Sequence, residues 1–129
     1  MNIPHKHILF TAGFALLLSL LLAAGPAASA PTGQVDATIQ YLIDHVAGSE
    51  LTFVRNASEY TPGEAAAHMQ KKYRHFRDDI ESPEDFIELC ATRSLMSGKP
   101  YLVIDRQGNT QGTGDWLRAE LAAYQVHGP

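Results

Sequence analysis

Cysteine is almost absent. Cys90 is the only one in 129 residues, so no internal disulfide can form even in an oxidising compartment. Basic charge is scarce as well: ten Lys and Arg stand against fourteen Asp and Glu, a formal net charge of -4. Nucleic-acid phosphates would be repelled at long range, which argues against a nucleic-acid partner. There is no internal repeat, no low-complexity tract and no second long apolar span after the N-terminal one. The marks of several chemistries are also missing. No H-E-x-x-H or cysteine cluster supplies the three or more protein ligands of a zinc site. Gly98-Lys99 has Arg93 where a phosphate-binding loop needs its upstream glycine, and Pro100 where Ser or Thr should follow. Ser97 is two residues from Lys99 rather than the three of a serine acyl-transfer motif, and no Ser/His/Asp set has a recognisable elbow. No cofactor is indicated, and an enzyme is not the expected class.

What is present begins with a segment that does not read as part of a fold. Lys6 is the one full charge of residues 1–7. Residues 8–24, opening on Ile8 and closing on Ala24, are apolar apart from Thr11, Gly13 and Ser19. Gly25-Pro26 then precedes Ala27-Ala28-Ser29-Ala30. That order of charge, apolar run and small residues is a secretory signal peptide over residues 1–30, implying a periplasmic or secreted protein. Pro31 follows the best cleavage site and would hinder cutting there. Cleavage after Ala27 is one alternative; the other is retention of residues 8–24 as an anchor, since about 17 residues can span a bilayer. No cysteine lies near the cut, which excludes a lipoprotein. Residues 31–129 are expected to form a single domain with one modest core.

Within that domain, Val35, Ile39, Leu42, Ile43 and Val46 fall at helical spacing, with Asp36 near the start and Gly48 suited to the position after the end. Leu51-Thr52-Phe53-Val54-Arg55 is β-branched and aromatic, too short for a helix, and reads as a strand. Asn56-Ala57-Ser58 is a turn, because asparagine tolerates positive φ, and Glu59-Tyr60 can return antiparallel. The same tripeptide is a glycosylation sequon, read here as turn chemistry. The organising helix is expected over residues 61–80. Thr61 caps it, Pro62 takes the first helical position, and Glu64 can turn back to the capping amide. Ala65, Met69, Tyr73, Phe76 and Ile80 form its apolar stripe, beside a polar one of Glu64, His68 and Lys72. Ser82-Pro83-Glu84-Asp85 opens a third helix whose apolar face is Phe86, Ile87, Cys90 and Ala91. Residues 94–100 are a loop, Tyr101-Leu102-Val103-Ile104 is a strand, and residues 105–112 are a polar turn or loop. Thr113 is expected to cap a last helix through Trp116, Leu117, Leu121 and Tyr124. The class is α+β: four helices with a small antiparallel sheet of two or three short strands, in one compact domain.

Several segments resemble one known family when taken in order and spacing. They are Phe53-Val54-Arg55-Asn56, then Thr61, Glu64-Ala65, His68 and Lys72, then Ile80, Phe86-Ile87, Ala91, Ser94 and Gly98-Lys99-Pro100-Tyr101. Over roughly residues 41–121 the chain is similar to the YfeK-like family of small exported bacterial proteins of unknown function. The resemblance implies a periplasmic or secreted location and brings no activity with it. Where that family commonly has glycine after Arg-Asn, this chain has Ala57, and Cys90 stands outside the family pattern.

The candidate binding residues are Arg55, Asn56, Glu64, His68, Lys72, Ser94 and Lys99. One reading is a structural polar network in which Arg55 and His68 satisfy backbone carbonyls and Glu64. The other is an anion-binding cleft of Arg55, His68, Lys72 and Lys99, suited to a carboxylate or phosphate. Convergence on one solvent-reachable cavity separates them. Glu64 and His68 are four apart, a spacing shared by helical ion pairs and metal sites. His75, however, is two turns from His68, about 10.5 Å along the axis, and too far to share an ion. Cys90 falls late in a helix on the face of Phe86 and Ile87, the place of a buried structural thiol rather than a nucleophile. Lys71, Lys72, Arg74, His75 and Arg77 make a basic run, either a solvated face or a contact for anionic phospholipid or an acidic partner. The expected function is a non-enzymatic module of the cell envelope that binds a ligand or partner. The alternative is a small envelope enzyme, or an anion-binding protein using the cleft around Arg55.

Overall fold

The computed structural model describes residues 32–129; the expected signal segment, residues 1–30, lies outside the described residues. Helix α1 (Thr32–Ala47) is followed by strands β1 (Thr52–Arg55) and β2 (Ser58–Tyr60), then helix α2 (Pro62–His75). A 3-10 turn (Arg77–Asp79) leads to helix α3 (Pro83–Phe86), which continues as a π-helical turn (Ile87–Ala91). Strands β3 (Leu102–Ile104) and β4 (Thr110–Gly112) and helix α4 (Thr113–His127) complete the chain. The four strands form one antiparallel sheet in the order β2-β1-β3-β4. The α+β class is thus as expected, but the sheet has four strands rather than two or three. The fourth lies in the polar stretch read as turn or loop. Its residues carry little β propensity of their own and gain strand geometry by pairing Gly112, Gln111 and Thr110 with Leu102, Val103 and Ile104.

Alternation along the strands puts Phe53 and Val103, paired with each other across β1 and β3, on the face toward the helices, where both are buried. The core they join is centred on Ile39, Leu42, Val46, Phe86, Ile87, Cys90, Ala91 and Leu117, all without solvent exposure. All five apolar residues expected on α1 are buried.

Helix α2 starts as the sequence indicates. Glu64 N–H donates to Thr61 Oγ1 at 3.2 Å, and Glu64 Oε2 accepts from Thr61 N–H at 2.9 Å, a complete capping box. It ends sooner than the apolar stripe implies, at His75, and Phe76 turns out of helical geometry. Contacts with α1 account for the early end. Asp36 accepts from the Tyr73 hydroxyl and from Arg77 Nη2 at 2.6 Å, fixing the chain on both sides of Phe76. Phe76 and Ile80 still pack against the core, but Ile80 does so from beyond the 3-10 turn.

The β1–β2 connection is a two-residue hairpin turn with both central residues left-handed, Asn56 at φ 50° and Ala57 at φ 65°. Ala57 adopts the conformation that glycine would take without strain. Ala57→Gly is therefore expected to stabilise the protein. The left-handed penalty of about 1–2 kcal/mol outweighs the glycine entropy of about 0.5–1 kcal/mol, and the remainder reads out as a raised urea midpoint.

Candidate functional site

The sheet register brings the main polar residues into one row. The Val54–Leu102 pair sets Arg55, one residue on, opposite Tyr101; the Leu102–Gly112 pair sets Tyr101 opposite Thr113. The backbone agrees, since Thr113 N–H donates to Tyr101 C=O at 2.9 Å. By the period of two, Arg55, Tyr101 and Thr113 project to the same face as Phe53 and Val103, under α2. From α2, the turn carrying His68 and Lys72 comes down onto this row.

Arg55 Nη1 lies 2.6 Å from His68 Nδ1 and 2.8 Å from Nε2, and Nη2 donates to the Tyr60 hydroxyl at 3.0 Å. The guanidinium can donate only to whichever ring nitrogen carries no proton. Its Cζ also sits 4.6 Å from the centre of the Tyr60 ring, a cation–π contact. The Tyr101 hydroxyl stands 3.4 Å from His68 Nε2 and 3.3 Å from Lys72 Nζ, which also donates to Arg93 C=O at 3.4 Å. Among the described residues no carboxylate forms an ion pair with Arg55 or Lys72.

Beside this cluster is a cavity of about 300 Å³, open to solvent on one side, between β1, β2 and α2. Its walls are mainly apolar, with Phe53, Ala65 and Met69 at the inner side. Arg55, Tyr60, Glu64, His68 and Tyr101 contribute the polar groups, and Thr113 the last. The Thr113 hydroxyl is the one buried side-chain polar atom without a hydrogen-bond partner among the described residues. Here the expected helix cap is corrected. Gly112 occupies the N-cap position of α4 and makes no side-chain cap bond, while Thr113 is the first helical residue and has no exposure. Its pairing with Tyr101 turns the hydroxyl inward.

Of the seven candidate residues, Arg55 and His68 meet at the cavity and Lys72 joins them through Tyr101. Glu64 lines the cavity but spends one oxygen on the capping box, so it does not neutralise Arg55 as the network reading has it. Asn56, Ser94 and Lys99 belong elsewhere. Asn56 Oδ1 accepts from Ser97 Oγ at 2.6 Å, and buried Ser94 holds the 94–100 loop by accepting from Ser97 N–H at 3.3 Å. Lys99 is exposed on that loop and does not line the cavity. Tyr60, Tyr101 and Thr113 were not among the candidates. Tyr101 belongs to the run that carries the family resemblance; Tyr60 and Thr113 show in the sequence only as residues where a strand begins or ends, and that is visible only once strand register is known. The basic run is split: Lys72 points under α2, Arg77 pairs with Asp36, and Lys71, Arg74 and His75 remain exposed.

The electrostatics follow from this crowding. Burial, then the positive charges of Arg55, Lys72 and Lys71, bring the His68 imidazole down to about 4. Lys72 is also held below its ordinary value, by burial first. Burial pushes the Cys90 thiol up to about 11 although Lys72 opposes the shift, so Cys90 is inert as a nucleophile. His68 is accordingly neutral at pH 7. Between the folded value near 4 and the unfolded value near 6.5 the unfolded chain binds more protons, so the contribution of His68 to stability rises with pH. That contribution is complete above about 6.5 and fades as the pH falls towards 4. The urea midpoint of the parent, taken relative to His68→Gln, is expected to climb across this window and level off above it. A flat difference would mean that His68 titrates as it does in water.

Fold and site together define a small α+β domain, with an apolar cavity under its central helix and a cationic group on the cavity wall. The chain belongs to a family of unknown function (DUF5329), whose model matches residues 33–125. It is also similar to the uncharacterized protein YfeK of Salmonella typhimurium (strain LT2), at 36% identity over 88 residues, 67% of this chain and 69% of that protein. No solved structure matches it.

Proposed function

We propose that this protein is an exported, non-enzymatic module of the cell envelope that binds a small molecule in the cavity under α2. Export rests on the N-terminal sequence, with its single charge, apolar run and small residues before Pro31. Binding rests on one observation: a concave apolar space of about 300 Å³ with a few polar groups converging on it. That is the usual form of a small-molecule site, at the lower end of the usual size. Among the described residues no helix is long and apolar enough to cross a membrane. Membrane contact would therefore fall to residues 8–24, or to exposed Lys71, Arg74 and His75.

The reading is tested by a thermal-shift screen of small envelope metabolites against the parent protein and Ala65→Leu. Ala65 is a buried wall residue of the cavity, and leucine there fills the space. Compounds that occupy the cavity are expected to raise the melting point of the parent by several degrees and leave that of the variant unmoved. A screen in which no compound separates the two proteins overturns the reading.

A further inference from the structure

Taking the cavity under α2 as a binding site, we infer that its ligand is a small monocarboxylate. It has about a dozen non-hydrogen atoms in all, with an apolar body and a hydroxyl at the end remote from the carboxylate. The carboxylate meets Arg55, and the hydroxyl meets Thr113.

Size comes first. A cavity of about 150 Å³ takes benzene, so twice that space takes roughly twice as many atoms. The charge comes from Arg55. Its guanidinium has only neutral partners, the His68 ring and the Tyr60 hydroxyl, and among the described residues it forms no ion pair. A half-buried guanidinium without an anion is an incomplete site, and a carboxylate fits its fork. Glu64 on the same wall limits the charge. With Lys72 behind Tyr101 counted, Arg55, Lys72 and Glu64 carry one net positive charge between them, which a single negative charge neutralises, whereas a phosphate dianion would overshoot and face that carboxylate.

Thr113 supplies the second anchor independently. A hydroxyl with no exposure and no partner is rare in folded proteins, and a bound polar group is one standard reason for it. Arg55 and Thr113 lie on the same sheet row with Tyr101 between them, their backbones two strand spacings or roughly 9–10 Å apart. A chain or ring system of a dozen atoms spans that distance with a polar group at each end.

The test is isothermal titration of the full-length gene product with 3-phenylpropionate, its amide, 3-(4-hydroxyphenyl)propionate and 2-phenylethyl phosphate. The acid is expected to bind at least about tenfold more tightly than the amide, and the 4-hydroxy acid about tenfold more tightly than the plain acid. Arg55→Gln should abolish the preference for acid over amide. Thr113→Val should abolish the gain from the 4-hydroxyl. Thr113→Val deletes an unpartnered group and is expected to melt no lower than the parent. The acid–amide comparison on the parent needs no variant at all.

Equal affinity for acid and amide, or tighter binding of the phosphate, overturns the monocarboxylate while leaving the cavity as a site. A 4-hydroxyl gain that is absent, or that survives in Thr113→Val, removes Thr113 as an anchor. If none of the four compounds binds, the ligand class falls. The Ala65→Leu screen then decides separately whether the cavity is used.

Discussion

Alanine in place of Phe86 is expected to cost about 3–5 kcal/mol of unfolding free energy. Phe86 is fully enclosed where α3 passes into its π-helical turn, and its ring meets that of Tyr73 edge-on at 5.7 Å and 82°. Truncation removes the transfer energy of the ring and leaves a void among side chains that α1, α2 and the π-helical turn hold in place. It also forfeits the edge-to-face contact, about 0.5–1.5 kcal/mol. Domains of this size are stable by about 5–15 kcal/mol, so the variant would lose between about a fifth of that and all of it. Urea unfolding followed by circular dichroism would show the midpoint falling steeply. Phe86→Leu, which keeps most of the volume, should lose much less. A loss below about 1 kcal/mol for the alanine variant would mean that the surrounding helices close over the gap.

Gly114→Ala is the second large effect, and its sign is unusual for a glycine in a helix. Helix propensity alone favours alanine by up to about 1 kcal/mol. Here a Cβ would stand 2.6 Å from Thr92 Oγ1, 3.3 Å from Thr92 Cβ and 3.2 Å from Arg118 Nη1. Arg118 can swing aside, since its ion pairs with Glu88 and Asp115 are exposed. Thr92 cannot, because its hydroxyl donates to Ile87 C=O at 2.8 Å and closes the π-helical turn. The overlap must push α4 away from the end of that turn, at about 1–3 kcal/mol, and outweighs the propensity gain. The melting point is expected to fall by several degrees. In a Thr92→Ala background the nearest atom is gone and Gly114→Ala should be close to neutral. A double-mutant cycle would give the coupling directly, and additive effects would show that the contact is not the cause.

The parts of this fold that were legible beforehand are those decided locally. The five apolar residues of α1, the capping box at Thr61 and Glu64, and the serine cap at Ser82, whose Oγ accepts from Asp85 N–H at 3.1 Å, need only neighbours in sequence. What was misread depends on partners far along the chain. The apolar stripe does run on to Ile80, but Asp36 on α1 captures Tyr73 and Arg77, and the helix stops between them. Thr110-Gln111-Gly112 is a strand only because β3 lies beside it.

The site divides the same way. Arg55 and His68 stood out because both carry the family resemblance and neither sits on an apolar stripe. Glu64 was read both as a capping glutamate, which it is, and as a partner of Arg55, a pair it does not form, because the two roles look alike in sequence. Thr113 reads as a cap because a hydroxyl before an apolar run usually is one, and only strand register turns it toward the cavity.

The sheet ends on β2 at one side and β4 at the other, each three residues long. Among the described residues their outermost backbone groups face no further strand, and an unpaired edge invites a second molecule to continue the sheet. Neither edge suits that purpose. A newcomer on β2 would have to accommodate exposed Glu59, and one on β4 would meet exposed Thr110 and Gln111, with a helix beginning at once beyond Gly112. With so few rungs on offer, extending the sheet with a second strand gains little backbone pairing.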